Sequence, residues 1–189
     1  MTEEIAPKGE WQNLSVQGDE VFLEAMEVEG EDADKFSPDL IQDSQQYYTD
    51  EQRQNLYQKI LAMSAPEKFR LAILANREVR GLLIHDPKRA ISMAVLRNQR
   101  LNESEVLQYA QRKDLSEEVI SSIARDQKWK KNYPIKMAVA TNPKTPIPVA
   151  INLLPHLQER DLKAIYRDKN VSSVLRRRAH EFLQSRNTR

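Results

Sequence analysis

Ala72-Ile73-Leu74-Ala75-Asn76 recurs in degenerate form as Ala94-Val95-Leu96-Arg97-Asn98 and as Ala138-Val139-Ala140-Thr141-Asn142. Each copy combines an Ala, a β-branched residue and a closing Asn, and successive copies start 22 and then 44 residues apart. The copy that this spacing would place near residue 116 is not convincing. Repeats of this length built from helix pairs are typical of stacked helical solenoids. The sequence therefore predicts an all-α fold, a short α-solenoid of stacked helices.

Helix start signals divide the chain after residue 48 into short segments. Thr49 with Gln52 and Ser64 with Glu67 fit the capping box, in which two side chains satisfy exposed amides at a helix N-terminus. Four further starts are predicted at Asp86 before Pro87, Asn102 with Glu105, Asp114 with Glu117, and Thr145 before Pro146. We expect about eight to ten short helices between residues 49 and 185, each burying an apolar stripe against its neighbours.

Charge separates the chain into two parts. Residues 1–50 contain 14 acidic side chains and 2 Lys, whereas residues 51–189 contain 14 acidic and 27 basic side chains. An acidic segment with few large apolar residues does not bury enough surface to offset the entropy of ordering. We therefore predict a disordered acidic arm over residues 1–46 and an α-helical repeat domain over residues 47–189.

Composition excludes several classes of protein. The chain has no Cys, which excludes disulfides and thiolate metal ligation. It begins without a basic and apolar leader and has no apolar run long enough for a membrane span, so we predict a cytoplasmic protein that does not enter a membrane.

Catalytic and cofactor motifs are missing from the sequence. No nucleophile elbow or glycine-rich phosphate loop is present, and His85, His156 and His180 do not form a metal-binding pattern. We therefore predict a protein that is not an enzyme, with no catalytic residues, no cofactor and no metal.

Several stretches of the body carry a family resemblance. They are Met63-Ser64-Ala65-Pro66-Glu67-Lys68, Asn76-Arg77-Glu78-Val79-Arg80-Gly81-Leu82-Leu83-Ile84, Trp129-Lys130-Lys131-Asn132-Tyr133, Asn142-Pro143-Lys144-Thr145-Pro146, and Leu153-Leu154-Pro155-His156-Leu157-Gln158-Glu159-Arg160-Asp161-Leu162. With these stretches the chain, from about Tyr57 to its end, resembles a bacterial family of delta-proteobacterial type, similar to HEAT and leucine-rich-repeat-variant solenoids. The resemblance implies a helical-repeat fold and, by analogy with solenoids in general, a binding scaffold. It implies no activity and no catalytic residues.

A lysine-rich stretch is the first candidate for a binding surface. Lys128, Lys130 and Lys131 alternate with Trp129 and Tyr133. Such a pattern suits nucleic acid, because ammonium groups contact phosphates while aromatic rings stack on bases. The alternative, which we favour, is that Trp129 fills the core between two repeats and the lysines are solvated.

Arginines supply two further candidate surfaces. Arg176 and Arg177 lie on the predicted last helix, where they either cap the open end of the solenoid or bind an anionic partner. Arg77 and Arg80 belong to a series of basic residues near predicted helix ends, and stacking of repeats could align that series along one edge. Its other members are Lys88, Arg89, Arg97 and Arg100.

Gly81 interrupts an otherwise strong helical pattern. A glycine inside a helix costs about 1 kcal/mol relative to Ala. We attribute it to close packing of a neighbouring helix, with close approach of a ligand as the alternative.

These observations favour a non-enzymatic scaffold or adaptor for protein–protein interaction. Its basic helical-repeat surface would bind an acidic partner or the chain's own acidic arm, which could compete for that surface. The alternative is a nucleic-acid-binding repeat protein regulated by the arm. The identity of the partner, the face that binds it and the oligomeric state stay open.

Overall fold

A computed structural model of the chain describes residues 35–43 and 48–187, in which all regular structure is helical. The α-helices are α1 (Pro38–Ile41), α2 (Asp50–Ala62), α3 (Ala65–Leu74), α4 (Arg77–Leu83), α5 (Arg89–Leu96), α6 (Glu103–Gln111), α7 (Glu117–Arg125), α8 (Gln127–Lys130), α9 (Tyr133–Thr141), α10 (Ile147–Leu153), α11 (Glu159–Arg167) and α12 (Ser173–Asn187), with a 3-10 turn at Leu154–His156. The prediction of an all-α fold is confirmed. The described chain from Asp50 onward has more helices than predicted, since one-turn helix α8 separates α7 from α9.

The helices pack mainly on near neighbours in the chain. Helix α3 contacts both α4 and α5, α5 contacts α7, and α9 contacts α6, α7 and α10. Helices α10 and α11 both pack on α12 at the C-terminal end. The buried apolar residues form one continuous core that runs from Leu40 to Leu183. Because helices of this length are unstable in isolation, this contact of each with its neighbours is what stabilises them.

Several predicted helix starts are confirmed at the level of individual bonds. Thr49 Oγ1 accepts from the Gln52 amide while Gln52 Oε1 accepts from the Thr49 amide, which forms the predicted capping box. At the start of α3, the Glu67 carboxylate accepts at 2.7 Å from both the amide and the hydroxyl of Ser64. Asn102 caps α6 through the Glu105 amide.

Three other predicted starts are displaced. Ser116, not Asp114, caps α7, and Asp114 instead forms a bidentate pair with Arg112. The Thr145 hydroxyl donates at 2.5 Å to the Val139 carbonyl, while α10 begins at Ile147. Asp86 accepts from the Lys88 amide, and α5 begins at Arg89. These short polar side chains make local turns equally well, so sequence does not separate a cap from a turn.

The closing Asn of the repeated pentapeptide connects successive helical layers. Asn98 Nδ2 donates to the carbonyls of Ala72 and Ala75, at 3.0 and 3.1 Å. Asn142 Nδ2 donates at 2.7 Å to the carbonyls of Ala110 and Arg112. The last carbonyls of a helix have no partner within that helix, so a buried amide from the next layer satisfies them.

Asn76 repeats this arrangement at the N-terminal end of the described chain. Its Nδ2 donates to the carbonyls of Asp39 and Gln42, at 2.7 and 3.0 Å, and its backbone amide donates to the Leu40 carbonyl. Leu40 is only 2% exposed. Residues 35–43, which the sequence analysis assigned to the disordered arm, therefore pack on the helical body. The remainder of that arm, residues 1–34 and 44–46, lies outside the described residues.

A membrane span would need a long apolar helix, and none occurs in the stretches 35–43 and 48–187.

Candidate binding groove

An open groove of about 820 Å³ lies on the surface formed by α4 and α6, and the segment that contains α1 borders it. Fifteen residues line this groove: Asp43, Tyr48, Arg53, Asn76, Arg77, Glu78, Arg80, Gly81, Leu82, Arg100, Asn102, Glu105, Gln108, Tyr109 and Arg112. Five of them are arginines and three are acidic. We call this surface the arginine groove.

A buried ion pair forms the base of the arginine groove. Arg80 and Glu105 have side chains that are each 2% exposed, and they meet in a bidentate pair with N–O distances of 3.0 and 2.7 Å. A third bond runs from Arg80 Nη1 to the Ala75 carbonyl at 2.7 Å. Planar guanidinium matches carboxylate in this way, so the pair joins α4 to α6 across 25 residues of chain. Arg80, predicted as part of an accessible basic surface, is instead structural.

Two arginines at the groove have no carboxylate partner within the described chain. Arg77 makes one long side-chain bond, 3.5 Å to Gln108 Oε1, and Arg100 Nη1 donates at 2.6 Å to the Ile41 carbonyl. Both residues are exposed. Their guanidinium groups keep most of their donors for a ligand, because each guanidinium carries five N–H bonds.

The other two arginines are partly neutralised by acidic neighbours. Arg53 Nε lies 3.5 Å from Glu78, and Arg112 forms the bidentate pair with Asp114. The Arg112 guanidinium lowers the pKa of Asp114 to about 2. His85 Nδ1 lies 3.8 Å from Asp114, yet burial, followed by the charge of Arg112, lowers the pKa of His85. Arg112 is therefore compensated by Asp114 and lies near an imidazole that is neutral at neutral pH, although neither Asp114 nor His85 lines the groove itself.

Tyr109 belongs to the base of the groove and not to its accessible wall. The residue is 5% exposed. Burial raises the pKa of Tyr109, and the Glu105 carboxylate raises it further. Because the residue is buried, its ring is unavailable for stacking on a ligand.

Gly81 leaves open space in the groove. A Cβ atom built on Gly81 would have no heavy atom within 4 Å beyond its chain neighbours and its own helix backbone. The prediction that Gly81 permits close packing of another helix is therefore wrong. The missing side chain at Gly81 leaves the groove open at this point of α4, between the exposed Arg77 and the buried Leu83.

The residues of the lysine-rich candidate surface do not line the arginine groove, although Lys128 Nζ donates at 3.4 Å to the carbonyl of Leu101, between the groove residues Arg100 and Asn102. Trp129 is 3% exposed, and Lys128 Nζ sits 4.3 Å above its ring. Tyr133 accepts from the Gln158 amide and donates to the Asp161 carboxylate. The favoured interpretation, that Trp129 fills the core, is confirmed, and its ring is too buried to stack on a base. Tyr133 is half-buried, with its hydroxyl occupied by these two bonds. Lys130 and Lys131 are exposed.

The arginines of α12 form a third, separate surface. Arg177 is exposed and lies 3.9 Å from Glu181. Arg176 is half-buried. Of the nine candidate residues, the fold brings only Arg77 and Arg80 together in the groove, and Lys88, Arg89 and Arg97 of the predicted basic edge do not line it.

The polar groove residues that were missed as site residues include Arg53, Arg112, Gln108 and Asn102. Arg100 was noted only as part of the basic edge. Arg77 and Arg100 follow the closing Asn of a repeat by one and two residues, which is a signal that could have found Arg100. Arg53 and Arg112 carry no such signal.

Comparison of the chain with protein-family models, curated proteins and solved structures found no match. In the described chain no three His, Cys, Asp or Glu side chains are grouped as a metal site would need.

Proposed function

We propose that this protein is a protein-binding scaffold, a short HEAT-like solenoid whose arginine groove binds an acidic segment of a protein. The observation that carries the proposal is the pair of exposed arginines, Arg77 and Arg100, whose guanidinium groups have no carboxylate partner in the described chain. Guanidinium groups bind carboxylates in a bidentate manner, and an open groove admits an extended peptide. The family resemblance seen in the sequence supports the same class of function.

Mixed charge in the groove favours a peptide over nucleic acid. Glu78 and Asp43 lie among the arginines and would repel a continuous phosphate backbone. Proteins that bind single strands stack bases on accessible aromatic rings. Of the two aromatic residues that line the groove, Tyr109 is 5% exposed, and the half-buried Tyr48 is held by a hydrogen bond from its hydroxyl to the Asp39 carbonyl. A peptide can place its carboxylates at Arg77 and Arg100 and other side chains near Glu78.

The first test measures binding of a fluorescein-labelled glutamate-rich peptide to the full chain by anisotropy at several salt concentrations. We expect measurable binding at low salt that weakens as salt screens the charges. Arg77→Glu should weaken it about tenfold, which corresponds to about 1.4 kcal/mol. Lys131→Glu is the matched control, because it changes the net charge equally at an exposed residue outside the groove.

Equal weakening by the two substitutions would show that net charge, and not the groove, drives binding, and would contradict the proposal. A single-stranded DNA of equal length is measured in parallel. Tighter, salt-dependent binding of the DNA would support the nucleic-acid alternative instead.

A further inference from the structure

An acidic stretch of the chain ends close to the arginine groove. Residues 19–34 contain eight Asp and Glu and no Lys or Arg. Val21, Phe22, Leu23 and Met26 add apolar side chains to the same stretch. It thus carries carboxylates that can pair with Arg77 and Arg100, and apolar side chains that can contact a surface that includes Leu82 and Gly81.

The chain that follows this stretch is fastened to the rim of the groove. Arg100 Nη1 bonds to the Ile41 carbonyl at 2.6 Å, and the Arg77 amide bonds to Asp43 Oδ1 at 3.0 Å. Both arginines of the candidate site therefore already hold the segment that leads into the acidic stretch. The acidic stretch is therefore joined through the chain to a segment that contacts both arginines.

The chain between the acidic stretch and Ile41 is long enough for the acidic stretch to reach the groove. Lys35 precedes Ile41 by six residues, four of which, Pro38–Ile41, form one helical turn. That path spans roughly 15 Å, since a helical residue rises about 1.5 Å and an extended one about 3.5 Å. About five extended residues before Lys35 cover the same distance. Residues from about 30 towards the N-terminus can therefore reach Arg100 without strain.

Tethering also favours the intramolecular ligand over any external one. A short flexible connection gives an effective concentration in the millimolar range. A peptide in solution at micromolar concentration therefore competes poorly with a tethered segment of the same chain that has equal intrinsic affinity for the groove.

We propose that residues 19–34 of the same chain bind in the arginine groove and compete with an external acidic partner. This inference rests on the proposed function, since it names an occupant for the same site. The Arg77 and Arg100 guanidinium groups pair with carboxylates of the acidic stretch, and the open space at Gly81 receives its backbone.

The competition is tested with full-length variants. Glu27→Gln, Glu29→Gln and Glu31→Gln are combined in one variant, and Glu3→Gln, Glu4→Gln and Glu10→Gln form a control with the same change of charge. We expect the first variant to bind the labelled glutamate-rich peptide about tenfold more tightly than the unmodified chain, because the internal competitor is weakened. The control should bind less than threefold more tightly. Equal tightening in both variants would overturn the inference, because general repulsion would then explain it.

Location is tested separately by NMR. The chain has no Cys, so Ala25→Cys gives a single attachment point for a nitroxide label. We expect broadening of the amide signals of Arg77 and Gly81 at low salt, loss of that broadening at high salt, and none at Lys131. Uniform broadening would overturn the inference. So would broadening that appears only when labelled and isotope-enriched chains are mixed, because the occupant would then be a second copy.

The two proposals fail in different ways. Peptide binding that depends on Arg77, together with no broadening in the groove, would leave the binding function standing and remove the internal ligand. Broadening in the groove with no peptide binding to either neutralised variant would retain the internal contact and remove the external partner. Absence of both effects would overturn both proposals.

Discussion

At the scale of the residue, the closing Asn explains why the repeated pentapeptide exists. An amide side chain has two donors and an acceptor, and each closing Asn uses all of them at a helix end. Asn98 donates to two carbonyls of the preceding layer, while its Oδ1 accepts at 2.9 Å from the Arg100 amide. The same side chain therefore joins two layers and orients the start of the next loop, which leads to a groove arginine.

Asn98→Asp is the substitution that tests this role. It preserves shape and the acceptor but removes both donors and places a charge against carbonyls, so we expect a loss of about 2–4 kcal/mol in the free energy of unfolding. Urea denaturation measures it. Asn102→Asp is the control, because Asp and Asn cap helices equally well and the change should cost under about 0.5 kcal/mol. Similar losses in the two variants would contradict the bonding pattern.

At the scale of the element, α4 contains both Arg80, which forms the buried ion pair of the groove, and Gly81, a residue that disfavours a helix. Arg80 anchors the helix to α6, Asn76 caps it through the Val79 amide at 3.0 Å, and Val79 and Leu83 are buried. Gly81 lowers the stability of the helix. Packing does not require a glycine at this position, because open space lies where its Cβ would be. The glycine therefore affects the shape of the groove and not the packing of the core.

Gly81→Ala should consequently stabilise the protein. Since Ala is favoured over Gly by about 1 kcal/mol in a helix, and the added Cβ meets open space, we expect the free energy of unfolding to rise by up to that amount. Denaturation in urea gives the value. Gly81→Leu extends the test, because it fills the groove and should weaken binding of the glutamate-rich peptide. A Gly81→Ala variant that is less stable than the unmodified protein would show that the added Cβ meets other atoms, and would contradict the open space at Gly81.

At the scale of the whole molecule, net charge conceals how the cations are arranged. The formal charge of +1 sums an acidic N-terminal part and a basic body. The candidate binding cations of the body lie in three separate places: the arginine groove, the exposed Lys130 and Lys131, and the end helix α12. The groove combines a concave shape with exposed arginines whose guanidinium groups have no carboxylate partner in the described chain.

Acidification should destabilise the whole molecule. Lys59 lowers the pKa of Asp39, and Arg112 lowers that of Asp114 to about 2, against an ordinary value of 3.8. A carboxyl with a depressed pKa in the folded state contributes stability above its unfolded pKa and loses it as pH falls towards the folded value. The lowered pKa of His85 acts in the same direction below its ordinary value of 6.5.

Urea midpoints should therefore fall slightly from pH 7 to 5 and further from pH 4 to 2. The effects are small for each group, because these side chains are largely exposed and screened by water. Asp114→Asn is the control and should show a smaller fall between pH 4 and 2. A urea midpoint that rises on acidification would contradict the lowered pKa values assigned to Asp39, Asp114 and His85.

Much of the secondary structure could be predicted, because its causes are local. The capping boxes at Thr49 and Ser64 act over three residues, and the apolar spacing of each helix reports its buried face directly. Burial of Trp129 was predicted for the same reason, since apolar neighbours in the sequence indicated core. Asp114 was misassigned because a short acidic side chain can either cap the helix that follows it or pair with a nearby arginine, here Arg112 two residues before it.

The sequence by itself determined an all-helical chain with a closing Asn in its repeats and an uneven division of charge. Only the tertiary structure decided that Arg80 is buried against Glu105, that Arg77 and Arg100 face one groove, and that Gly81 borders open space. The physical reason is distance along the chain. Arg80 and Glu105 are 25 residues apart and Arg100 and Ile41 are 59 apart. Which charges meet at such separations depends on how the helices stack, and no local pattern specifies that.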